Sequence, residues 1–289
     1  MTQPVVAVLG TGTMGAGMVR SLRRAEIGVR MWNRDGGKAQ KLTDTGAEAF
    51  ESPAEAASGA DVVLTMLLDG DAVLDAIRRA SPAAGTIWLQ CSTVGLDGTE
   101  RAIEAAHELG LVFVDCPVQG SRKPAEDGAL VMLASGPAEA QDRLAPVLDA
   151  LGRTTLWLGA AGAGSRLKMA TNAWVLMLTA GVAQSVALAR GLGLDPRQFF
   201  AAIEGGPLDS PYARGKGANM VAGEHPVSFG LAGAVKDAQL IRAALQSVDV
   251  SDRLTAAVLE TMQIAADTVA DAHDVDMGAL IAGLAPDGA

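Results

Sequence analysis

The first half of the chain alternates between short, continuously apolar runs and amphipathic stretches. The apolar runs have the length and the β-branched content of buried strands, and they cover residues 5–10, 28–33, 61–67, 86–91, 111–116, 129–135 and 154–159. Stretches with helical spacing of their apolar residues, such as 98–110 and 138–152, lie between several of these runs. This alternation is typical of a mainly parallel sheet that is covered by helices on both faces.

The pattern changes after residue 160, where the small residues of 159–165 (GAAGAGS) suit a domain boundary. Beyond them we find no convincing strand pattern. Helical periodicity dominates instead, with breaks at Gly, Pro and Asp, over residues 165–192, 195–204, 211–222, 231–247, 251–271 and 276–284. We therefore predict an α/β domain over residues 1–162 and an all-α domain over residues 163–289, joined by a long helix.

Composition narrows the class of protein. The chain is 49% hydrophobic and 19% charged, so it can build a substantial core. Its formal net charge of -10 argues against a nucleic-acid or membrane-surface binder, which needs a basic field. The apolar run 173–189 is shorter than the roughly 20 residues of a membrane span and contains Gln184, so we expect a buried helix rather than a membrane segment.

Two cysteines, Cys91 and Cys116, make neither a disulfide framework nor a zinc site. We expect both to be small buried residues in a reducing compartment. The first residues, MTQPVVAVLG, lack the basic segment and the hydrophobic core of a secretory signal. These features predict a cytoplasmic protein.

A glycine-rich turn follows the first predicted strand. Gly10, Gly12 and Gly15 form G-x-G-x-x-G between a strand and a helix, with Thr13 and Met14 inside the motif. The first glycine permits a tight turn, the second lets a pyrophosphate approach the backbone, and the third allows close packing of helix and strand. The start of the helix attracts the anion. The context predicts a dinucleotide site in a Rossmann-like domain; the alternative is a glycine-rich packing turn.

The end of the second strand bears on the choice of cofactor. An acidic residue there would bind the ribose 2′-hydroxyl of NAD, but the position holds Asn33. Arg34 and Lys38, one turn further on, can bind a 2′-phosphate, so we favour NADP(H) over NAD(H). Asp35 is the counter-argument, because its charge would repel a phosphate or pair with Arg34.

Further strand ends carry candidate ligand contacts, because ligands collect at the carboxyl ends of parallel strands. Leu67 and Leu68 lie at the end of one predicted strand and are predicted to contact the cofactor, and Ser92 and Thr93 follow the next strand. The two hydroxyls are suited to bind a nicotinamide or a substrate. Their alternative role is to cap a helix.

The stretch 164–174 (GSRLKMATNAW) opens the long apolar helix with a lysine. Lys168 and Asn172 are four residues apart and project from one helix face. An ordinary lysine there would reach out to solvent. The three histidines and Tyr212 lie in no catalytic motif, so Lys168 is the candidate proton donor.

The order of VLGTGTMGAGM, CSTVG, DCPVQGSRKPAEDGAL, GAGSRLKMATNAW and FGLAGAVKDAQL resembles the β-hydroxyacid dehydrogenase family, over essentially the whole chain. The family includes 3-hydroxyisobutyrate dehydrogenases and glyoxylate/succinic semialdehyde reductases, and the sequence is most similar to the latter branch, which uses NADPH. The resemblance implies a Rossmann-like and a helical domain with the active site between them, and a dimer or tetramer.

The resemblance also implies roles for particular residues. Gly164, Lys168 and Asn172 match the G-x-x-x-K-x-x-x-N pattern of the family's catalytic lysine. Lys236 matches a cofactor-contacting lysine, and substrate contacts are implied for Thr93, Gln119, Gly120, Ser121, Phe229 and Asp237. Gln119 occupies a position where a serine is common in the family's loop. This difference bears on the identity of the substrate more than on the type of reaction.

The sequence therefore predicts an NADPH-dependent oxidoreductase that reduces a small carbonyl acid reversibly, with Lys168 as proton donor and acceptor. Imine reduction on the same scaffold is one alternative, although related imine reductases commonly carry Asp or Tyr in place of the lysine. A non-catalytic NADP-binding sensor is another. A decarboxylating sugar-phosphate dehydrogenase fits less well, because the chain is short and shows no second phosphate-binding cluster.

Overall fold

The computed structural model describes residues 3–284. Contacts between residues divide the chain into two compact units, the first ending at Lys168 and the second beginning at Met169. A fully parallel sheet with the strand order β3-β2-β1-β4-β5-β6 forms the centre of the first unit. Its strands are β1 (Val5–Leu9), β2 (Gly28–Trp32), β3 (Glu48–Ala49), β4 (Val62–Thr65), β5 (Ile87–Gln90) and β6 (Val112–Asp115).

Helices connect the strands of this sheet, as the predicted alternation requires. They are α1 (Thr13–Arg24), α2 (Gly36–Gln40), α3 (Pro53–Ala57), α4 (Gly70–Ala80) and α5 (Gly95–Glu108). Alternate residues of β1 face two separate cores: Val6 and Val8 belong to one, and Ala7 and Leu9 belong to the other. Both faces of the sheet are therefore covered, which confirms the predicted α/β class.

A second, three-stranded sheet completes the first unit. It consists of β7 (Val118–Gln119), β8 (Leu130–Ala134) and β9 (Gly152–Trp157), with β7 antiparallel and β9 parallel to β8. The helices α6 (Arg122–Asp127) and α7 (Ala140–Leu151) belong to this part of the unit. The runs 129–135 and 154–159 do form strands, but these strands are not members of the six-stranded sheet.

The second unit consists of helices, as expected. After α8 (Ala163–Gly191), which begins in the first unit, come α9 (Arg197–Ile203), α10 (Pro211–Ala222), α11 (Leu231–Ser247), α12 (Arg253–Thr268) and a 3-10 helix (Met277–Leu284). Strand pairing in the described part of this unit is limited to one bridge, between Gly230 and Asp276. The helical pattern predicted over residues 276–284 corresponds to the 3-10 helix Met277–Leu284 rather than to an α-helix.

The helix α8 agrees closely with the helix predicted over residues 165–192, and it extends beyond the apolar run 173–189 on both sides. It has 29 residues, and among the helices of residues 3–284 it is the one whose length and composition would suffice to cross a membrane. The shortness of the run 173–189 therefore does not exclude a membrane span. Long core helices of soluble proteins meet the same criterion, and the absence of a membrane segment stays a prediction.

The two cysteines are both buried and free, as predicted. Cys91 and Cys116 directly follow Gln90 and Asp115, which are partners in the register of β5 and β6. The pKa of Cys116 is raised well above that of an ordinary thiol by its hydrogen bond with Cys91 and by burial. The Cys116 thiol therefore stays protonated inside the core.

Candidate active site

The glycine-rich turn has the geometry that the sequence predicts. Gly10 has a φ of +106°, and a Cβ atom there would lie 2.2 Å from the Met66 carbonyl oxygen. A Cβ atom at Gly15 would lie 1.9 Å from the carbonyl oxygen of Gly10. Only glycine fits these two positions, because any side chain would collide with fixed backbone. The turn therefore runs directly against the neighbouring strand and helix.

Gly12, in contrast, has open space beside it. A Cβ atom at this position would meet nothing within 4 Å, and the residue caps α1 without a side chain. Thr13 and Met14 form the first turn of the helix, Thr13 exposed and Met14 half-buried. The start of α1 thus leaves room for an anion beside its N–H groups, which fits the pyrophosphate of a dinucleotide.

Asn33 joins the end of β2 to the glycine-rich turn. Its Oδ1 atom accepts a hydrogen bond from the backbone N–H of Thr11 at 3.0 Å, and its Nδ2 atom donates to the carbonyl oxygen of Asp35. The Thr11 hydroxyl is buried and has no hydrogen-bond partner within residues 3–284. The sequence did not draw attention to Thr11, because a threonine inside G-x-G carries no signal of its own.

The residues beyond Asn33 lie at the surface. Arg34, Asp35 and Lys38 are exposed. The carboxylate of Asp35 caps α2 by accepting from the Gly37 N–H at 3.1 Å. Asp35 therefore has a local structural role at the start of α2, which the sequence left open.

Ser92 is buried, and its hydroxyl connects two loops. The Ser92 Oγ atom accepts from the Leu67 N–H at 2.8 Å and donates to the Thr65 carbonyl oxygen at 3.3 Å. The side chain of Gln90 binds the backbone of Ser92 at two points. It accepts from the Ser92 N–H at 2.7 Å and donates to the Ser92 carbonyl oxygen at 2.9 Å. This network fixes the loops that carry Leu67, Leu68, Ser92 and Thr93.

The alternative role of Ser92 and Thr93 as helix caps is wrong. The residue at the N-cap position of α5 is Val94, which makes no capping hydrogen bond through its side chain. Asp69, directly after Leu68, caps α4 by accepting from the Ala72 N–H at 2.8 Å. Helix α4 therefore begins at Gly70, directly after this cap.

The predicted substrate loop lies between β7 and α6. Gln119 ends β7 and is half-buried, Gly120 has a φ of +127°, and Ser121 precedes α6 without capping it through its side chain. A Cβ atom at Gly120 would lie 2.8 Å from the Leu130 side chain. The loop is therefore held in a backbone conformation that other residues rarely adopt, with Gln119 and Ser121 on either side.

Lys168 is buried within the first unit, with 7% of the residue exposed. Its Nζ atom donates to the Val118 carbonyl oxygen at 2.8 Å. The lysine therefore does not reach out to solvent as an ordinary surface lysine would. Val118 is a partner that the sequence analysis missed, because a backbone carbonyl leaves no trace in residue identity.

Asn172 follows one helical turn later and belongs to the second unit. Its Nδ2 atom donates to the Asp237 Oδ2 atom at 2.6 Å, and both residues are buried. The other carboxylate oxygen of Asp237 lies 2.9 Å from the Lys236 Nζ atom. Asp237, predicted to contact substrate, thus holds Asn172 and Lys236 through its carboxylate.

The loop before α11 carries Phe229, another predicted substrate contact. Its backbone N–H donates to the Asp276 Oδ2 atom at 3.1 Å, and its side chain is half-buried. Asp276 also accepts from the Ser228 N–H and hydroxyl and forms a buried ion pair with Lys216. Neither Lys216 nor Asp276 stood out in the sequence, because their positions are 60 residues apart.

Two family models match nearly all of the chain. Residues 5–159 match the NAD binding domain of 6-phosphogluconate dehydrogenase, and residues 162–283 match the NAD-binding domain of NADP-dependent 3-hydroxyisobutyrate dehydrogenase. The fold and the glycine-rich turn thus define a nicotinamide-dinucleotide oxidoreductase.

Individual relatives agree with these matches. The chain is 31% identical to glyoxylate/succinic semialdehyde reductase 1 of Arabidopsis thaliana over 96% of both chains. It is 30% identical to the chloroplastic reductase 2 of that plant, over 90% of this chain and 74% of the relative. A Mycobacterium tuberculosis 3-hydroxyisobutyrate dehydrogenase structure with L-serine superposes with a TM-score of 0.86 at 26% identity, covering 99% of this chain and all of the other.

The chain belongs to the β-hydroxyacid dehydrogenase family, as its motifs predicted. It is an NAD(P)-dependent hydroxyacid dehydrogenase or reductase.

Proposed function

We propose that the protein is an NADPH-dependent reductase of a small carbonyl acid, with Lys168 as the proton donor. The observation that carries the proposal is the buried ammonium of Lys168, which donates to the Val118 carbonyl oxygen at 2.8 Å. Val118 comes three residues after Asp115, the last residue of β6. The glycine-rich turn follows β1 of the same parallel sheet, and the carboxyl ends of parallel strands share one edge.

NADPH, when bound, supplies a hydride to the carbonyl carbon. As the C–H bond forms, the π bond of the carbonyl breaks and negative charge develops on its oxygen. A proton from Lys168 Nζ neutralises that charge and completes the hydroxyl group. In the reverse direction, neutral Lys168 accepts the hydroxyl proton. The Val118 carbonyl holds the amine in one orientation for both directions.

A short-chain carbonyl acid is the proposed substrate class. Thr93, Gly120 and Ser121 offer hydroxyl and backbone N–H groups that suit a carboxylate, and Gln119 adds an amide. The names of the Arabidopsis relatives, which are glyoxylate/succinic semialdehyde reductases, support this class. Glyoxylate, succinic semialdehyde and methylmalonate semialdehyde are the first candidates.

NADP(H) is the proposed cofactor. Arg34 and Lys38 are exposed at the end of β2, and Asn33 brings no negative charge. The carboxylate of Asp35 is bound to the Gly37 N–H, so it has a partner other than Arg34. The match of residues 162–283 to a family described as NADP-dependent also supports this choice.

The proposal is tested by a substrate screen with NADPH and NADH, together with the variant Lys168→Ala. We expect Lys168→Ala to lower kcat by about 10²–10⁴-fold, because general acid catalysis is lost. NADPH binding, measured by fluorescence titration, should change little. Arg166→Ala, an exposed residue on the same helix, is the matched control and should keep the activity of the wild type.

The other outcomes of this screen discriminate between the alternatives. Full turnover by Lys168→Ala would contradict the role of the lysine. Cyclic imines complete the panel, and turnover of imines alone would identify an imine reductase. NADPH binding without oxidation in the presence of any carbonyl acid would favour a sensor.

We also propose that the protein is a homo-oligomer that works in a reducing compartment such as the cytosol. Nine of the eleven large apolar side chains exposed within residues 3–284 belong to the second unit, and Trp174 and Leu188 of α8 are among them. An apolar surface of this kind favours association with another copy. The two buried, free thiols are compatible with a reducing environment.

A further inference from the structure

The first turn of α8 is bound by a buried carboxylate from β6. The Oδ1 atom of Asp115 accepts from the Ser165 hydroxyl at 2.7 Å, and its Oδ2 atom accepts from the Ser165 backbone N–H at 2.8 Å. Asp115 is completely buried. The α8 helix therefore begins with a charged cap that comes from a strand 50 residues earlier in the chain.

Two further hydroxyls complete this cluster. The Oγ atom of Ser135 accepts from the Gly164 N–H at 2.9 Å and donates to Asp115 Oδ2 at 3.2 Å. Thr99 donates to the Ser165 hydroxyl at 2.9 Å. Asp115 and Ser135 also exchange both of their backbone hydrogen bonds. The start of α8 is thus held by side chains from β6, from α5 and from the end of β8.

Gly164 allows the helix to come this close. A Cβ atom at Gly164 would lie 2.1 Å from the Leu133 carbonyl oxygen and 3.1 Å from the Asp115 carbonyl oxygen. The helix backbone therefore lies directly against the strand ends, and the hydrogen bonds from Asp115 and Ser135 fix its position there.

The same segment that supplies Asp115 also holds the lysine. Val118, whose carbonyl accepts from Lys168 Nζ, comes three residues after Asp115, and Lys168 comes three residues after Ser165. The segment 115–118 thus binds α8 at two successive points, first at the backbone of the helix start and then at the lysine head group. A shift of α8 along its axis would break both contacts.

We infer that Asp115 is a positioning residue for the proton transfer by Lys168. Its carboxylate fixes the axial position of α8 against β6, and this position sets where the Lys168 ammonium meets a substrate oxygen. The inference rests on the proposed function, and it adds a residue outside the lysine motif to the proton-transfer machinery. A carboxylate suits this place because it accepts two hydrogen bonds from one residue and carries charge that complements a helix N-terminus.

The test compares Asp115→Ala and Asp115→Asn with the control Ser52→Ala. Ser52 caps α3 of the same unit through a capping box with Glu55. Asp115→Ala should lower kcat by about 10- to 100-fold, because small displacements of a catalytic group have effects of this size. The KM values for NADPH and for the carbonyl acid should stay within about twofold, and Asp115→Asn, which keeps an acceptor for the Ser165 N–H, should recover most of the loss.

Ser52→Ala should lower the thermal midpoint without lowering kcat at temperatures well below that midpoint. If Asp115→Ala and Asp115→Asn lower kcat no more than Ser52→Ala, the inference is wrong and Asp115 only stabilises the fold. If Asp115→Ala does not fold, Ser165→Ala takes its place, because it removes only the hydroxyl donor at 2.7 Å. That variant should also lower kcat and leave both KM values nearly unchanged.

A spectroscopic measurement separates this inference from the proposed function. The side-chain ammonium resonance of Lys168 in ¹⁵N-labelled protein is assigned by its loss in Lys168→Arg. It should shift in the Asp115 variants and stay unchanged in Ser52→Ala; an unchanged resonance in all of them would overturn the inference. Wild-type protein that turns over no carbonyl acid would overturn the proposed function, and the resonance would still decide the role of Asp115.

Discussion

At the scale of single residues, the structure explains why some residues of the candidate site could be predicted from the sequence and others could not. Gly10 and Gly15 were predictable, because a steric requirement allows one residue type and leaves it visible in the sequence. The spacing of Lys168 to Gly164 and Asn172 made it a candidate in the sequence, and its catalytic role stays a prediction. The acceptor at Val118 and the carboxylate at Asp115 were not, because a hydrogen-bond partner 50 residues away is determined by the fold.

The ion pair of Lys216 and Asp276 shows how a buried charge is accommodated in the second unit. Besides Lys216, the Asp276 carboxylate accepts from the Ser228 N–H, the Ser228 hydroxyl, the Phe229 N–H and the Gly278 N–H. Burial alone would raise the pKa of Asp276, but the hydrogen bonds and the charge of Lys216 together lower it below the ordinary value. The charged form is therefore the stable one in the folded protein.

We predict that Asp276→Asn lowers the free energy of unfolding at pH 7 by about 3–5 kcal/mol, because it leaves Lys216 buried without its partner charge. Since the folded pKa of Asp276 lies below the unfolded value of about 3.9, this contribution is complete above that value and is lost as the pH falls through the folded pKa. Urea unfolding at pH 7 and near pH 3 should show a smaller difference between variant and wild type in acid. An equal difference at both pH values would contradict this assignment.

Arg34 carries a second prediction at this scale. If its exposed guanidinium binds the 2′-phosphate, Arg34→Ala should raise the KM for NADPH by about tenfold or more and leave the KM for NADH nearly unchanged. Steady-state kinetics with both cofactors measure this change. Lys41→Ala removes a neighbouring exposed charge after α2 and should alter neither constant; equal effects of both variants would point to general electrostatics instead.

At the scale of elements, the length of a helix or strand largely decided whether the sequence could predict it. The long helices α5, α7 and α8 and the strands β1, β2, β4, β5 and β6 were found, because several apolar residues repeat within each. The two-residue strands β3 and β7 and the short helices α2, α3 and α6 were missed, because so few residues show no periodicity. The helix α4 was missed although Val73, Leu74 and Ile77 are buried on one face.

The start of α8 permits a direct test of close packing. Gly164→Ala should lower the free energy of unfolding by about 1–3 kcal/mol, because the added Cβ atom would lie 2.1 Å from the Leu133 carbonyl oxygen. Gly215→Ala in α10 is the matched control, since nothing lies within 4 Å of a Cβ atom there. That variant should be neutral or more stable by up to about 1 kcal/mol. Thermal and urea unfolding of both variants provide the measurement. Equal changes in the free energy of unfolding would show that the close approach at Gly164 does not determine the cost of the substitution.

At the scale of the whole molecule, surface composition is the main property that the sequence leaves open. Net charge and hydrophobic fraction come directly from the residues, but which apolar side chains stay exposed depends on the fold. Trp174 is 64% exposed and Leu188 is 60% exposed, although both occur in the long apolar helix α8. Trp174, Gly181 and Leu188 are spaced by seven residues and are all exposed, so they form a stripe on one face of α8.

We therefore expect sedimentation velocity to show a species of at least twice the chain mass of 29.4 kDa. Trp174→Glu should shift the protein towards the monomer, because a charge in the stripe opposes apolar association. Leu156→Glu places the same charge on an exposed apolar position of the first unit and should leave the assembly unchanged. A purely monomeric wild type would contradict the proposed oligomer.

The cap on α8 also has a consequence for synthesis on the ribosome. Asp115 and Ser135 leave the ribosome well before Gly164 and Ser165, whose N–H groups they bind. Until those residues emerge, the nascent first unit contains a carboxylate that lacks both hydrogen bonds from Ser165, and its most favourable place is in water. We expect cotranslational folding of the first unit to finish only when the start of α8 docks. Docking of the helix would then complete the core and position Lys168 in one step.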